Sequence, residues 1–216
     1  SHSLSEIMLI GPGRTPGCGV FKDIYEIRPA HYAIFDDTGL TIHRYWNVEA
    51  HEHTDSFEQT VEKVRYLVTD SIKRQLVSDV PLCTFLSGGL DSSLISSVTS
   101  EEFKKRGEVL HTFSVDYKDN DKYFKRSKFQ PNSDNAFISI MTNHLHSEHH
   151  RVVLNPAELV DALYEATEAR DLPGMADVDA SLLLLCREMK QFATVGLSGE
   201  CADELFGGYP WYRDPE

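Results

Sequence analysis

The sequence predicts an α/β protein built on a doubly wound parallel sheet, preceded by a short antiparallel β segment. Two observations carry that class. From residue 81 onward, short apolar runs alternate with stretches of helical period. Two of those runs end in glycine-bearing, serine-containing turns that lead onward into helices. A third observation separates the first 50 residues, where β-prone runs flank turn residues.

In chain order, Gly11 to Gly17 holds five Gly and Pro in seven residues and is read as a loop. His31–Phe35 and Leu40–Trp46 flank Asp36-Asp37-Thr38-Gly39 and are read as a hairpin. So few strands make a poor independent core, so residues 1–50 are expected to be the end of a larger domain. A charged linker, Glu49 to Thr54, leads to a helix whose expected capping box is Asp55 with Glu58. Its apolar stripe is Phe57, Val61, Val64, Val68, Ile72 and Leu76. The expected strands are Leu82–Leu86, Val109–Val115, Arg151–Leu154 and Thr194–Leu197, and the helices between them 92–106, 135–146, 156–169 and 179–191. Asn155-Pro156-Ala157-Glu158 supplies a cap, an N1 proline and an N3 glutamate. Asp116 to Ser133 is polar with five basic residues and shows neither period. A loop that long is either a binding loop or a solvated insertion.

The 216 residues carry 21 Lys plus Arg against 34 Asp plus Glu, a formal charge of −13. A body that acidic repels phosphate backbones, which argues against nucleic acid as a partner. No apolar run approaches the roughly 18 residues of a membrane span, which argues against a membrane partner. Cys18, Cys83, Cys186 and Cys201 are scattered without a CxxC, which reads as reduced thiols in a cytoplasmic protein.

Two motifs carry chemistry. Ser87-Gly88-Gly89-Leu90-Asp91-Ser92-Ser93 follows an apolar strand and enters a helix whose expected inward positions include Leu94, Ile95 and Val98. Glycines there let backbone N–H groups approach an anion, and the helix dipole and serine hydroxyls add to the attraction. The turn lacks the Walker A lysine and is not a G-x-G-x-x-G dinucleotide fingerprint. Farther on, Ser198-Gly199-Glu200-Cys201-Ala202-Asp203-Glu204 repeats the small-residue turn. If a helix starts there, Glu200 and Asp203 project from one face and suit Mg²⁺ on pyrophosphate oxygens.

Ser-Gly-Gly-Leu-Asp-Ser-Ser after a strand resembles the pyrophosphate loop of N-type ATP pyrophosphatases, and Ser198-Gly199-Glu200 through Asp203-Glu204-Leu205-Phe206-Gly207-Gly208-Tyr209 resembles the companion signature of glutamine-hydrolysing asparagine synthetases. The resemblance covers nearly the whole chain. It implies a Rossmann-like sheet of the adenine nucleotide alpha hydrolase type. It also implies two parts: residues 1–50 as the end of a class II glutamine amidotransferase domain, and 51–216 as the first part of a synthetase domain. The implied reaction is ATP-dependent conversion of aspartate to asparagine through β-aspartyl-AMP, with glutamine-derived ammonia as nucleophile and AMP and pyrophosphate as products.

By the same resemblance, ATP and pyrophosphate would be bound by Phe85, Leu86, Ser87, Gly88, Gly89, Leu90, Asp91, Ser92, Ser93, Val115, Asp134, Ser198 and Gly199. Asp91 and Asp203 would hold Mg²⁺ with ATP, and Glu200 and Asp91 would be catalytic. The family's cysteine nucleophile and catalytic lysine have no counterpart here: the chain opens Ser1-His2 and stops at Glu216. The 216 residues alone are therefore expected to be inactive. Asp177 and Asp179 stand where relatives carry Thr and Arg that grip the aspartate carboxylates, and are expected to repel an anion. A related amide-forming ligase and a non-catalytic nucleotide-binding module are the alternatives. The sequence leaves oligomeric state open, a homodimer included. His144, His146, His149 and His150 straddle a helix end and a strand start, so they are not expected to converge on a metal. Cys83 and Cys186 are read as core fillers.

Overall fold

A computed structural model describes residues 2–125 and 134–212, and within them four strands form one parallel sheet. The elements are α1 (His2–Ile10), a hairpin of β1 (His31–Asp36) and β2 (Gly39–Arg44), α2 (Phe57–Gln75), β3 (Leu82–Phe85), α3 (Leu90–Arg106), β4 (His111–Tyr117), α4 (Asn120–Tyr123), α5 (Asp134–Leu145), β5 (Glu148–Leu154), α6 (Pro156–Arg170), α7 (Asp177–Met189), β6 (Val195–Leu197), α8 (Ala202–Phe206) and a 3₁₀ turn at Pro210–Tyr212. The strand order β5-β4-β3-β6 places β3 inside, with β4 on one side and β6 on the other. The doubly wound α/β class is as the sequence predicts.

Strand parity sorts the two faces. Cys83, Phe85, Phe113, Val115 and Val152 face α7 and pack with Leu185, Met189 and Ala193. Leu82 packs on the opposite side with Leu76, Phe103 and Leu110. Outside α7, α6 closes the layer through Ala162, Ala166 and Ala180, small residues that let the two helices approach.

Several expectations need correction. Residues 2–10 are helical, not β; among Ser3–Ile10 only Glu6 and Ile7 are buried, so no apolar stripe marks the helix in sequence. The cap of α2 is Ser56, whose hydroxyl accepts from the Gln59 amide while the Gln59 side chain accepts from Ser56 N–H; the box lies one residue beyond Asp55 and Glu58. Along α2 only Ile72, followed by Leu76, is buried; Phe57, Val61 and Val64 are exposed. The inward face of α3 is Ser92, Ser96, Val98, Thr99, Ser100 and Phe103, with Leu94 exposed. Small hydroxyl residues allow close packing on β3: Thr84 and Ser96 share a buried 2.8 Å hydrogen bond and Ser100 donates to the Leu145 carbonyl at 3.1 Å, while the Thr99 hydroxyl is buried without a partner among the described residues.

β5 begins three residues before the expected Arg151, because polar Glu148, His149 and His150 alternate correctly between faces. His149 bonds Thr112 and Ser114 on one face, while His150 stacks on Phe113 on the other, so these two rings diverge. β4 runs on through Asp116 and Tyr117, and Asn120–Tyr123 form one helical turn. Residues 126–133 of the long polar segment lie outside the described residues. The Asn155 capping box is as expected. Among the described residues no helix is long and apolar enough to cross a membrane.

Candidate functional site

The chain reverses its direction of sheet growth at β3: β4 and β5 add on one side, then β6 returns to the other. A crevice opens at the carboxyl ends of such a switch point, where open α/β sheets take ligands. Both sequence motifs arrive there. Ser87–Ser93 leaves β3, and Ser198–Asp203 leaves β6, which pairs with β3 through Leu82–Val195, Cys83–Gly196 and Thr84–Leu197.

The first turn is held by its own serines. The Ser87 and Ser92 hydroxyls lie 2.9 Å apart, Ser87 N–H donates to the Ser92 hydroxyl at 3.2 Å, and Gly89 N–H donates to the Ser87 hydroxyl at 3.3 Å. Gly88 has φ +80°, and a Cβ there would lie 3.0 Å from the Asp134 carbonyl oxygen and 3.0 Å from Phe137 Cβ. Glycine is thus required both by the left-handed backbone and by the close approach of α5. Gly89 caps α3 without a side-chain bond, leaving the helix's first amides directed at the crevice.

The second turn lies directly against the first. A Cβ on Gly199 would fall 3.0 Å from Asp91 Cβ and 3.0 Å from the Ser92 amide nitrogen. Ser87, Gly89, Asp91, Ser92, Ser198, Gly199, Glu200 and Asp203 all line one cavity of about 590 Å³. A second cavity, about 230 Å³, shares Phe85 and Ser87 with it and adds Leu86, Val115 and Asp134. Of the expected site residues, Gly88, Leu90 and Ser93 line neither: Gly88 supports the loop from beneath, and Leu90 is 83% exposed.

Glu200 and Asp203 reach the larger cavity by a different route from the expected helix face. The helix starts only at Ala202, Glu200 sits in the preceding turn, and Cys201 between them is left-handed at φ +70°. Asp203 is fixed from the other side: Gly208 N–H donates to its carbonyl at 3.0 Å, and any Cβ on Gly208 would strike its carboxylate. Glu204 accepts from the Tyr209 hydroxyl at 3.0 Å.

Sequence reasoning missed the wall formed by Leu182, Leu185 and Tyr209, and the polar floor of the smaller cavity. That floor is Asp116, buried, paired with Arg151 and bonded by Asn120 at 2.9 Å, the Tyr117 amide at 2.8 Å and Asn135 at 3.3 Å. Burial pushes the Asp116 carboxyl up, but these four donors outweigh it and hold the group below its ordinary value. The signal was an Asp directly after the apolar and hydroxylic run Thr112–Val115. Asp179 lines neither cavity; it pairs with Arg170 at 2.5 Å and accepts from the Met175 amide at 2.7 Å, so its charge is already met.

Two converging glycine turns at the switch point of an open parallel sheet define an α/β ligand-binding domain. A family model described as Asparagine synthase matches residues 63–216, and the chain belongs to that family. It is 59% identical over 211 residues to glutamine-hydrolyzing asparagine synthetase 3 of Bacillus subtilis, covering 97% of this chain and 34% of that protein. It is 33% identical over 186 residues to asparagine synthetase 1 of the same organism, covering 86% and 27%. It is 30% identical over 188 residues to asparagine synthetase B of Escherichia coli, covering 77% and 32%. The chain thus spans about a third of the length of these relatives. A distant likeness goes to an NAD+ synthetase from Burkholderia pseudomallei, 16% identical with a TM-score of 0.26, covering 64% of this chain and 56% of that one.

Proposed function

We propose that this chain is the nucleotide-binding part of a glutamine-hydrolysing asparagine synthetase, an ATP-dependent carbon–nitrogen ligase. The observation that carries the reading is the contact of Gly199 with Asp91 and Ser92, which brings the two loops to one crevice. Asparagine as product and glutamine hydrolysis come from the names of the relatives, and aspartate as acceptor belongs to the proposal. The division into an amidotransferase end (1–50) and a synthetase beginning (51–216) belongs to the same proposal, as do a cytoplasmic setting and a homodimer.

The donor set fits MgATP. The amides at the start of α3 and the hydroxyls of Ser87 and Ser92 suit phosphate oxygens. The larger cavity is lined by Asp91, Glu200, Asp203 and Glu204 with no lysine or arginine among its described residues. A polyanion enters an acidic crevice only with its charge already neutralised, so the lining itself calls for a divalent cation on the nucleotide. No three carboxylates there converge within 4.8 Å among the described residues, which suits Mg²⁺ held by one or two carboxylates and by phosphates. Asp91 and Asp203 would hold it; bound, it would supply charge neutralisation on the departing pyrophosphate. Glu200, which lines the same cavity, would act on the attacking ammonia or on charge in the intermediate. Phe85, Leu86 and Val115 would bound the adenine with the apolar side of the smaller cavity.

Calorimetric titration of ATP into folded protein, with and without Mg²⁺, tests this. Magnesium-dependent binding that is lost in Asp91→Asn is expected; absence of binding to folded protein overturns the proposal. Aspartate-dependent pyrophosphate release by the intact polypeptide separates a synthetase from a ligase with another acceptor.

A further inference from the structure

The far end of the sheet carries a second constellation, unrelated to the nucleotide crevice. His111 is the first residue of β4 and Glu148 the first of β5, and the parallel register pairs His111 with Glu148 and Phe113 with His150. With a side-chain period of two, His111, Glu148 and His150 therefore share one face, the face covered by α7. His111 Nδ1 lies 2.9 Å from His150 Nε2, and the Glu148 carboxylate oxygens lie 3.9 Å from each of these nitrogens. One ligand atom from each residue falls within 4.8 Å of the others.

The two rings are held by aromatic neighbours. His150 stacks on Phe113 at 4.6 Å and meets Phe192 at 4.2 Å, and Phe192 also abuts His111 at 5.5 Å. Packing leaves the cluster open on one side: the side chains of His111, His150 and Glu148 are 29%, 19% and 58% exposed. A tetrahedral Zn²⁺ with bonds near 2.0–2.1 Å places neighbouring ligand atoms roughly 3.3 Å apart. The histidine nitrogens must open by roughly 0.4 Å and the glutamate close by roughly 0.6 Å to meet that geometry, small rotations for side chains at the open ends of two strands.

We propose that His111, Glu148 and His150 form a binding site for a borderline divalent transition metal, Zn²⁺ fitting best, that ties the amino ends of β4 and β5 together. Two imidazoles and one carboxylate suit Zn²⁺ or Co²⁺ and disfavour Mg²⁺, which takes oxygen ligands. None of the three residues lines either cavity, and His111 precedes Val115, at the proposed adenine, by four residues of β4, about 13 Å; the metal is structural and takes no part in the proposed ligase chemistry.

Cobalt is the probe. The intact polypeptide, freed of metal by chelation and dialysis, is titrated with Co²⁺ and followed by visible absorption, then with Zn²⁺ by calorimetry. Expected are tetrahedral cobalt bands displaced by one equivalent of Zn²⁺, and a Zn²⁺-dependent rise in unfolding temperature. Glu148→Gln alters an exposed side chain and keeps the fold; it should weaken metal binding by about tenfold or more while leaving MgATP binding intact. His111→Gln/His150→Gln should abolish the bands. Folded protein without bands or heat overturns the site. So does metal binding unchanged in Glu148→Gln, which would seat the ion elsewhere, for example on the exposed Cys201.

Discussion

Gly199 touches Asp91: its α-carbon comes so close that an added methyl would lie 3.0 Å from Asp91 Cβ and from the Ser92 amide nitrogen. Neither of those atoms is the tip of a flexible side chain, so the two loops must separate to accept it. Gly199→Ala is expected to cost about 1–3 kcal/mol of stability, the usual range for overpacking. It should also lower MgATP affinity about tenfold by displacing Ser92 and Asp91 from the crevice, a loss of roughly 1.4 kcal/mol. Urea unfolding and calorimetry on the same sample check both.

Asp91→Asn and Asp177→Asn make a matched pair. Asp91 lines the larger cavity, whereas Asp177 sits in the first turn of α7, exposed and outside both cavities. The first should weaken magnesium-dependent nucleotide binding and the second leave it unchanged. Equal loss in both would place the phosphates elsewhere.

Asp116 gives the site floor a pH dependence. Its carboxyl titrates below the ordinary value in the folded chain, so it contributes stability that is whole above an unfolded value near 3.9 and is lost as pH falls through the folded one. Asp116→Asn should cost about 1–2 kcal/mol at pH 7, held down because Arg151 is half exposed. The gap from the unmodified protein should narrow as pH falls below about 4, read by urea midpoints at each pH.

The thiols should react in a fixed order. Cys83 is fully buried, and that burial, with Cys186 beside it, pushes its thiol up to about 12. Cys201 is exposed and lines the crevice. Alkylation of native protein followed by mass spectrometry should label Cys201 and spare Cys83, and MgATP should slow labelling of Cys201.

The corrected helix start is also testable. Ser56→Ala should cost about 1 kcal/mol, the usual value of an N-cap, and Asp55→Ala less than about 0.5 kcal/mol, since Asp55 makes only a surface pair with Lys63. Reversed magnitudes would restore the box to Asp55 and Glu58.

How legible each element was follows from how local its cause is. Asn155-Pro156-Ala157-Glu158 offers one cap in one register, and α6 starts there. Asp55-Ser56 offers two good caps with Glu58 and Gln59 at the matching third positions, so the choice falls to packing that no short window contains. His149 and His150 look like loop residues until Thr112 and Ser114 on one side and Phe113 and Phe192 on the other give their rings partners. The phosphate-type turn was readable because glycine and serine between strand and helix act through backbone geometry. Leu182, Leu185 and Tyr209 were not, because only the return of β6 beside β3 sets α7 and the final turn over the crevice.

The strand order β5-β4-β3-β6 fixes when the crevice can exist during synthesis. A ribosome delivers Ser87–Ser93 early, but the opposing wall is more than a hundred residues away along the message, and such distant pairing is slow. A nascent chain paused before Val195 carries the glycine-serine cradle without the Ser198–Asp203 wall that lies against it. Nucleotide should therefore act as a late chaperone, trapping the fold only after the last strand has docked.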